Sequence, residues 1–304
     1  MSFSSFVPEV RLLLRILPII AAEKVFALKG GTAINMFIRD LPRLSVDIDL
    51  TYLPIENREK SLKGIADTLT IIRKKILLAI PGSTVTNVVP KGVGSISGLI
   101  VANQETQIKI EVNIVIRGSV YEPVELELCE RAQAEFSAEV TMQTLSKADI
   151  YGGKICAALD RQHPRDLFDV KLLLDEGGLT EDVRRSFVIY LASHDRPMNE
   201  LLAPTWKDIG EVYQNDFQGM TLEEIPLSDL LEARSKLHES IKQGLSSEEK
   251  QFLLSVKKCA PEWNLLGISG LEKLPALQWK LLNIKKMSEA KREEAYQKLE
   301  AALS

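Results

Sequence analysis

The sequence is poor in the residues that build disulfide frameworks and zinc sites, and its N-terminal apolar run is interrupted. Among 304 residues it has three cysteines and three histidines. The cysteines are odd in number, far apart and outside any metal-ligand spacing, which argues against a disulfide or zinc framework. Arg15 and Pro18 interrupt the apolar run at 12–22, which leaves it too short and broken for a membrane span and unlike a secretory signal. We therefore expect a cytoplasmic protein with no membrane partner.

An excess of positive charge is also absent. The formal net charge is −4 at pH 7, so no global basic field indicates nucleic acid, although a local basic groove stays open. The apolar share of 45% and the charged share of 26% are ordinary for globular proteins, and the length suffices for two domains. The basic residues that could form such a groove are Arg39, Arg43, Arg73, Lys74, Lys75, Arg161 and Arg165.

The pattern of apolar residues predicts an α+β chain of two domains. Alternation indicates strands and three- to four-residue spacing indicates helices. The predicted helices are 8–23, 32–38 and 56–80, and the predicted strands are 25–28, 45–52, 84–89, 95–102, 107–116 and 124–128. From residue 140 onward the pattern is almost wholly helical. We therefore expect a domain at 1–140 with a small mixed sheet flanked by helices, and an all-helical domain at 141–304.

The most informative stretch combines a Gly-Gly turn with an acidic strand. Gly30 and Gly31 open a short helix, and a backbone without side chains at a helix N-terminus suits phosphate oxygens. Asp47 and Asp49 follow on a strand, where residues two apart share a face. Paired carboxylates suit Mg²⁺ completed by substrate phosphates. Two exposed strand carboxylates are the alternative, but like charges side by side repel unless a cation holds them.

Glu111 is a candidate for a third carboxylate. It lies in an alternating strand with Ile108, Ile110 and Val112 on the opposite face, which fixes its register. If this strand lies beside the acidic strand, Glu111 approaches Asp47 and Asp49, and three carboxylates can hold two metal ions for displacement at phosphorus. The alternative is an ordinary outward-facing glutamate.

A second group of charged residues lies between 146 and 170. Lys154 and Arg161 are seven residues apart and share a helix face, and both side chains suit a triphosphate. Asp166 follows Pro164, which starts the next helix, and could orient either cation by an ion pair. The alternative is an interhelical salt-bridge network, which we favour for Arg165 and Asp169.

These two groups resemble the AbiEii/AbiGii toxin family of nucleotidyltransferases, which includes MenT-like toxins and lies within the DNA polymerase β-like superfamily. The resemblance is carried by 30–33 (Gly-Gly-Thr-Ala), by 43–49 (Arg-Leu-Ser-Val-Asp-Ile-Asp), and by Lys154, Arg161 and 165–169 (Arg-Asp-Leu-Phe-Asp). The gap between Gly31 and Asp47 is longer than in aminoglycoside nucleotidyltransferases, which favours the toxin branch.

The resemblance implies the fold, the activity and the roles of individual residues. It implies a nucleotidyltransferase core at the N-terminus and a helical domain that contributes Lys, Arg and Asp to the active site. The implied catalytic residues are Asp47, Asp49, Lys154 and Asp166, with Asp47 and Asp49 as ligands of a two-metal Mg²⁺ site; Glu111 as a further ligand rests on strand geometry. The expected nucleotide-binding residues are Gly30, Gly31, Thr32, Ser45, Lys154 and Arg161.

The implied function is that of a toxin in a type IV toxin–antitoxin system. Such a toxin is similar to enzymes that add nucleotides from an NTP to the 3′ end of tRNA, which stops translation and growth and serves phage defence by abortive infection. The implied partner is an AbiEi-like antitoxin encoded alongside. Two alternatives stay open: transfer to a protein or small-molecule acceptor, and a non-catalytic NTP-binding module.

Overall fold

The computed structural model describes residues 6–304, and it has the mixed α/β architecture that the sequence predicts. The chain forms two compact units. The first comprises 1–146 and the short segment 218–224, and the second comprises 147–217 and 225–304. Residues 1–5 of the predicted first domain lie outside the described residues.

The first unit is built on a mixed sheet of seven strands in the order β3-β4-β5-β2-β1-β7-β6. β2 and β5 run parallel, as do β1 and β7, and the other neighbours are antiparallel. The strands are β1 (Phe26–Lys29), β2 (Ile48–Tyr52), β3 (Thr84–Val88), β4 (Gly98–Ala102), β5 (Gln107–Asn113), β6 (Val124–Glu127) and β7 (Thr141–Thr144).

Four helical segments accompany this sheet. They are α1 (Val7–Ala21), α2 (Gly30–Ala33), which continues as a π-helical turn (Ile34–Ile38), α3 (Arg58–Ala79) and α4 (Glu130–Phe136). α1 begins with Pro8 in its first turn and buries seven apolar residues. α3 buries Ile65, Leu69, Ile72 and Ile76, which are spaced by three or four residues and so form one stripe.

Two elements of this unit escape prediction from the sequence. α4 and β7 are short, and β7 lies beyond residue 140, where we expected strands to end. Leu28 of β1 pairs with Thr144 of β7, and β6 pairs antiparallel with β7. These partners are distant in sequence, so a four-residue strand stabilised by them carries little local signal.

The segment 218–224 returns to the first unit and supports the chain before β2. Leu44 donates its backbone N–H to the Met220 carbonyl oxygen at 3.1 Å, and Leu222 donates to the Pro42 carbonyl oxygen at 3.0 Å. Arg43 and Thr221 form the bridge between these hydrogen bonds. The segment therefore fixes the residues that lead to Ser45 and Asp47.

The regular elements described in the second unit are helical, as predicted. Its α-helices are α5 (Lys147–Asp160), α6 (Pro164–Asp175), α7 (Glu181–Ser193), α8 (Met198–Leu202), α9 (Gly210–Asp216), α10 (Leu227–Gly244), α11 (Ser247–Lys257), α12 (Pro275–Lys285) and α13 (Glu289–Leu303). Among residues 6–304, every helix is too short or too polar to cross a lipid bilayer.

Candidate active site

The Gly-Gly turn requires glycine at both positions. Gly30 follows β1 and begins α2 in the left-handed region with φ +75°, and a Cβ there would collide with the carboxylate of Asp49. A Cβ on Gly31 would lie 2.8 Å from both Arg43 Nη2 and Ser45 Oγ. The bare backbone of the turn therefore lies directly against the residues that precede and begin β2.

Thr32 connects this turn to the acidic segment. Its buried hydroxyl donates a hydrogen bond to the backbone carbonyl of Asp47 and lies 3.1 Å from Ser45 Oγ. The strand begins at Ile48, so Asp47 lies just before it rather than within it as predicted. Exposure nevertheless alternates: Asp47 is exposed, Asp49 is half-buried, and Ile48 and Leu50 are buried. Thr32 thus orients the carboxylate segment against the turn.

Glu111 lies beside Asp49 on the neighbouring strand. The two residues are in register in the parallel β2–β5 pair, so the strand of Glu111 does lie beside the acidic strand, which was the condition for their approach. Lys109, two residues earlier on the same face, holds Glu111 Oε1 at 2.8 Å. Its hydrogen bond to Glu111 raises the pKa of Lys109, and the negative charges of Asp47 and Asp49 act in the same direction. Lys109 therefore lies in the field of all three carboxylates.

The donor set in the first unit fits a metal ion that is completed by its substrate. Among the described residues, no group of three His, Cys, Asp or Glu side chains is arranged to hold a metal. Asp49 lies against Gly30, Asp47 lies two residues earlier just before β2, and Mg²⁺ is commonly bound through one or two carboxylates plus substrate phosphates. Glu111 is engaged by Lys109, and its role as a further ligand stays a prediction.

In the second unit, Lys154 lies at the centre of a buried ion-pair network. Its Nζ is 2.8 Å from Asp166 Oδ1 and 2.9 Å from Asp169 Oδ2, which joins α5 to α6. The ion pair between Lys154 and the fully buried Asp169 confirms the predicted interhelical salt bridge of Asp169. The expected ion pairs of Asp166 are also present, because Arg161 donates to both of its oxygens at 2.8 and 3.0 Å.

These two cations control the ionisation of Asp166. Burial alone would raise the pKa of this carboxyl, but Lys154 and Arg161 outweigh burial and hold the pKa well below its ordinary value. Asp166 is therefore a carboxylate at neutral pH. It keeps the buried Lys154 and the largely exposed Arg161 side by side.

The turn between α5 and α6 fixes the direction of Arg161. α5 ends at Asp160, so Arg161 follows the helix instead of continuing its face as predicted. Gln162 has φ +55°, and its buried amide donates to the Thr205 carbonyl and accepts from the Lys207 backbone N–H. His163 then caps α6 by accepting from the Arg165 N–H. The turn is held at both ends, which orients Arg161 toward Asp166.

Sequence reasoning missed one residue and misjudged another. Lys109 shares a strand face with Glu111, and this two-residue spacing is the signal that could have identified it. Arg43, considered for a basic groove, is 2% exposed and donates to the Leu44 carbonyl, so it supports the turn and cannot belong to an open surface. Arg73, Lys74 and Lys75 are exposed on α3.

A family match covers most of this chain. Residues 11–281 match the family described as "Nucleotidyl transferase AbiEii toxin, Type IV TA system". The chain belongs to the AbiEii family. Nucleotidyl transfer is therefore its enzyme class, and a toxin–antitoxin system with an antitoxin partner is its context. No curated protein sequence matches the chain.

Solved structures agree with the AbiEii assignment at the level of fold. The nucleotidyltransferase toxin MenT4 from Mycobacterium tuberculosis H37Rv superposes with a TM-score of 0.60 at 14% identity, over 99% of this chain and 94% of MenT4. Terminal uridylyl transferase 4 from Trypanosoma brucei with bound dUTP aligns over 98% of this chain and 92% of its own at 14% identity, but its TM-score of 0.31 supports no inference.

Proposed function

We propose that this AbiEii-family protein is a cytoplasmic toxin that transfers a nucleoside monophosphate from an NTP to the 3′ end of tRNA. The modified tRNA no longer supports translation, so growth stops, and this arrest serves phage defence by abortive infection. An AbiEi-like protein is the proposed antitoxin. The observation that supports the proposal is the packing of the Asp49 carboxylate against the side-chain-free backbone of Gly30.

The proposed site assigns distinct tasks to the turn and to the carboxylates. Asp47 and Asp49 hold Mg²⁺, with Glu111 as a proposed further ligand. When bound, the metal offsets negative charge on the triphosphate and on the pyrophosphate leaving group. We propose that the backbone at Gly30 and Gly31, where α2 begins, contacts phosphate oxygens beside Ser45, while Thr32 holds the acidic segment in place.

The cations of the second unit support the same reaction. Charge builds up on the leaving pyrophosphate as the bond to the α-phosphorus breaks, and fixed cations stabilise it. We propose that Lys154 and Arg161 supply this charge and that Asp166 positions both of them. Asp166 is suited to this task because it accepts from both residues at once.

The experiment that tests this proposal shows whether a nucleotide is transferred and whether the 3′ end of tRNA accepts it. Purified protein is incubated with Mg²⁺, total tRNA and each labelled NTP in turn, and the control is tRNA whose 3′-terminal diol has been oxidised with periodate. Label in intact tRNA and its absence from oxidised tRNA are the expected result. Equal labelling of both would place the transfer elsewhere on tRNA. Label on protein or on a small molecule, with none on tRNA, would reject the tRNA acceptor.

A further inference from the structure

In the first unit, a buried arginine lies at the far end of β1 and β2 from the Gly-Gly turn. β1 and β2 pair so that Lys29 lies opposite Asp49, and Phe26 lies opposite Tyr52. Beyond Tyr52, the backbone N–H of Gly118 donates to the Tyr52 carbonyl at 2.8 Å. Three residues of strand, about 10 Å, separate Asp49 from Tyr52, so Arg117 next to Gly118 lies away from the candidate active site.

Two donor atoms of the buried Arg117 have no hydrogen-bond partner among the described residues. Arg117 is 6% exposed, and its Nε and Nη1 atoms are buried and donate no hydrogen bond. A buried N–H without an acceptor costs about 1–3 kcal/mol, and more when the group is charged. Burial lowers the pKa of Arg117, and the positive charge of Arg58 lowers it further. An added acceptor, such as a bound anion, would offset the cost of these two unpaired donors.

The surroundings of Arg117 favour an anion. Arg58 is the first residue of α3, a helix of 22 residues, and helix N-termini attract negative charge. Glu56 also lies near, but it accepts a hydrogen bond from the Tyr52 hydroxyl at 3.4 Å and forms no ion pair with Arg117 in the part of the chain described. Arg117 therefore lies near a second guanidinium, that of Arg58 at the start of α3, and Glu56 acts on it only through its charge.

We propose that Arg117, Arg58 and the N-terminus of α3 bind a phosphate group. Guanidinium groups and helix N-termini together present several donors, which matches the several acceptor oxygens of a phosphate. The phosphate is that of a free anion or of an RNA backbone, and both present the same oxygens. This site is independent of the proposed nucleotidyl transfer, since it lies at the other end of the strands and uses none of the same residues.

The test compares three variants of the full chain in phosphate-free buffer and in inorganic phosphate, with sodium chloride matching the ionic strength. Wild-type protein should gain thermal stability in phosphate. Arg117→Met should lose this gain and yet be at least as stable as wild type without phosphate, because an unpaired buried charge is removed. Arg131→Gln removes the same charge from an exposed side chain of the same unit and should keep the gain.

Arg58→Gln provides a second measurement, because the exposed side chain of Arg58 contributes little to folding. The dissociation constant for inorganic phosphate, measured by calorimetry, should rise about tenfold with the loss of a charge-assisted hydrogen bond. Wild-type affinity in both Arg58→Gln and Arg117→Met would overturn the proposal, as would an unstable Arg117→Met protein that still responds fully to phosphate.

A short RNA without a terminal phosphate distinguishes the two sources. If it binds in an Arg117-dependent manner and competes with inorganic phosphate, the site takes an RNA backbone. If inorganic phosphate alone binds through Arg117, the site takes a free anion. Both outcomes support the phosphate site and identify its occupant.

Discussion

At the scale of single residues, charge is legible in the sequence but burial is not. From the sequence, Asp166 is a possible ion-pair partner of Lys154 or Arg161, and in the structure it pairs with both. Their environments differ sharply, however: Lys154 is buried, whereas the Arg161 side chain is 61% exposed. Burial depends on how α5, α6 and their neighbours pack. The identity of a residue does not show whether a lysine is buried in a salt bridge or exposed in a phosphate site.

Asp166→Asn should destabilise the protein and flatten its response to acid. Breaking one partner of a buried ion pair costs about 3–5 kcal/mol. The folded-state pKa of Asp166 is lowered, so near and below the ordinary pKa of about 3.9 the unfolded chain binds more protons than the folded one, and stability falls as pH falls. Urea unfolding from pH 6 to pH 3 should show a weaker acid dependence in Asp166→Asn than in wild type.

The matched control for this change is Asp175→Asn. Asp175 lies on the same helix and pairs with Lys171 at 2.7 Å, but its side chain is 55% exposed. Exposed pairs of this spacing contribute about 0.5 kcal/mol or less. Equal destabilisation by both substitutions would refute a special role for Asp166.

Gly31→Ala should weaken NTP binding more than it weakens folding. The added Cβ would lie 2.8 Å from the Arg43 guanidinium and from the Ser45 hydroxyl, so both must move. Overpacking of this kind costs about 1–3 kcal/mol, and the displaced Ser45 belongs to the proposed triphosphate site. Calorimetry with a non-hydrolysable NTP gives the affinity, and unchanged affinity would show that the turn does not contact nucleotide.

At the scale of elements, long periodic segments were predictable and short elements were not. The alternation in β5 predicts its face, whereas its pairing with β2 was only the condition for placing Glu111 beside Asp49, and the structure shows that pairing. α4 and β7 are too short to show a period, and β7 depends on distant partners. The close packing of α5 and α7 was likewise invisible, because it rests on a single missing side chain.

Two adjacent glycines of α5 provide a matched pair for testing this packing. A Cβ on Gly152 would lie 2.7 Å from Ser186 Cβ and 2.8 Å from the Phe187 backbone nitrogen, whereas a Cβ on Gly153 would meet nothing within 4 Å. Gly153→Ala should raise the free energy of unfolding by about 0.5–1 kcal/mol through helix propensity. Gly152→Ala should lower it by more than about 1 kcal/mol. Similar denaturation midpoints for both would contradict the packing described.

At the scale of the molecule, the sequence indicates two parts but does not show which residues belong to each part. The change from alternation to helical periodicity near 140 suggests a boundary there. The compact units divide after 146 instead, and the first unit also includes 218–224. Nothing local marks these seven residues as belonging to the first unit. Their role follows from backbone hydrogen bonds to Pro42 and Leu44, and such bonds do not depend on which side chains the residues carry.

A fragment ending at residue 146 should lose order before β2. Without 218–224, the Leu44 N–H and the Pro42 carbonyl lose their partners, and unpaired backbone groups exchange with water. Hydrogen exchange should therefore be faster at Leu44 in the fragment than in the full chain, while the Leu28 amide in β1 serves as the internal reference. Equal protection of Leu44 in both would show that the returning segment is dispensable.

The most direct test of the proposed reaction is the transfer rate of Asp47→Asn beside that of Asp67→Asn. Both substitutions replace an exposed carboxylate of the first unit with its amide, and Asp67 pairs with Lys63 on α3, away from the Gly-Gly turn. With labelled NTP, Mg²⁺ and tRNA, we expect Asp47→Asn to lose more than about 100-fold in rate, beyond the loss typical of a supporting residue, at an unchanged melting temperature. Asp67→Asn should react like wild type. Wild-type transfer by a folded Asp47→Asn protein would contradict the account.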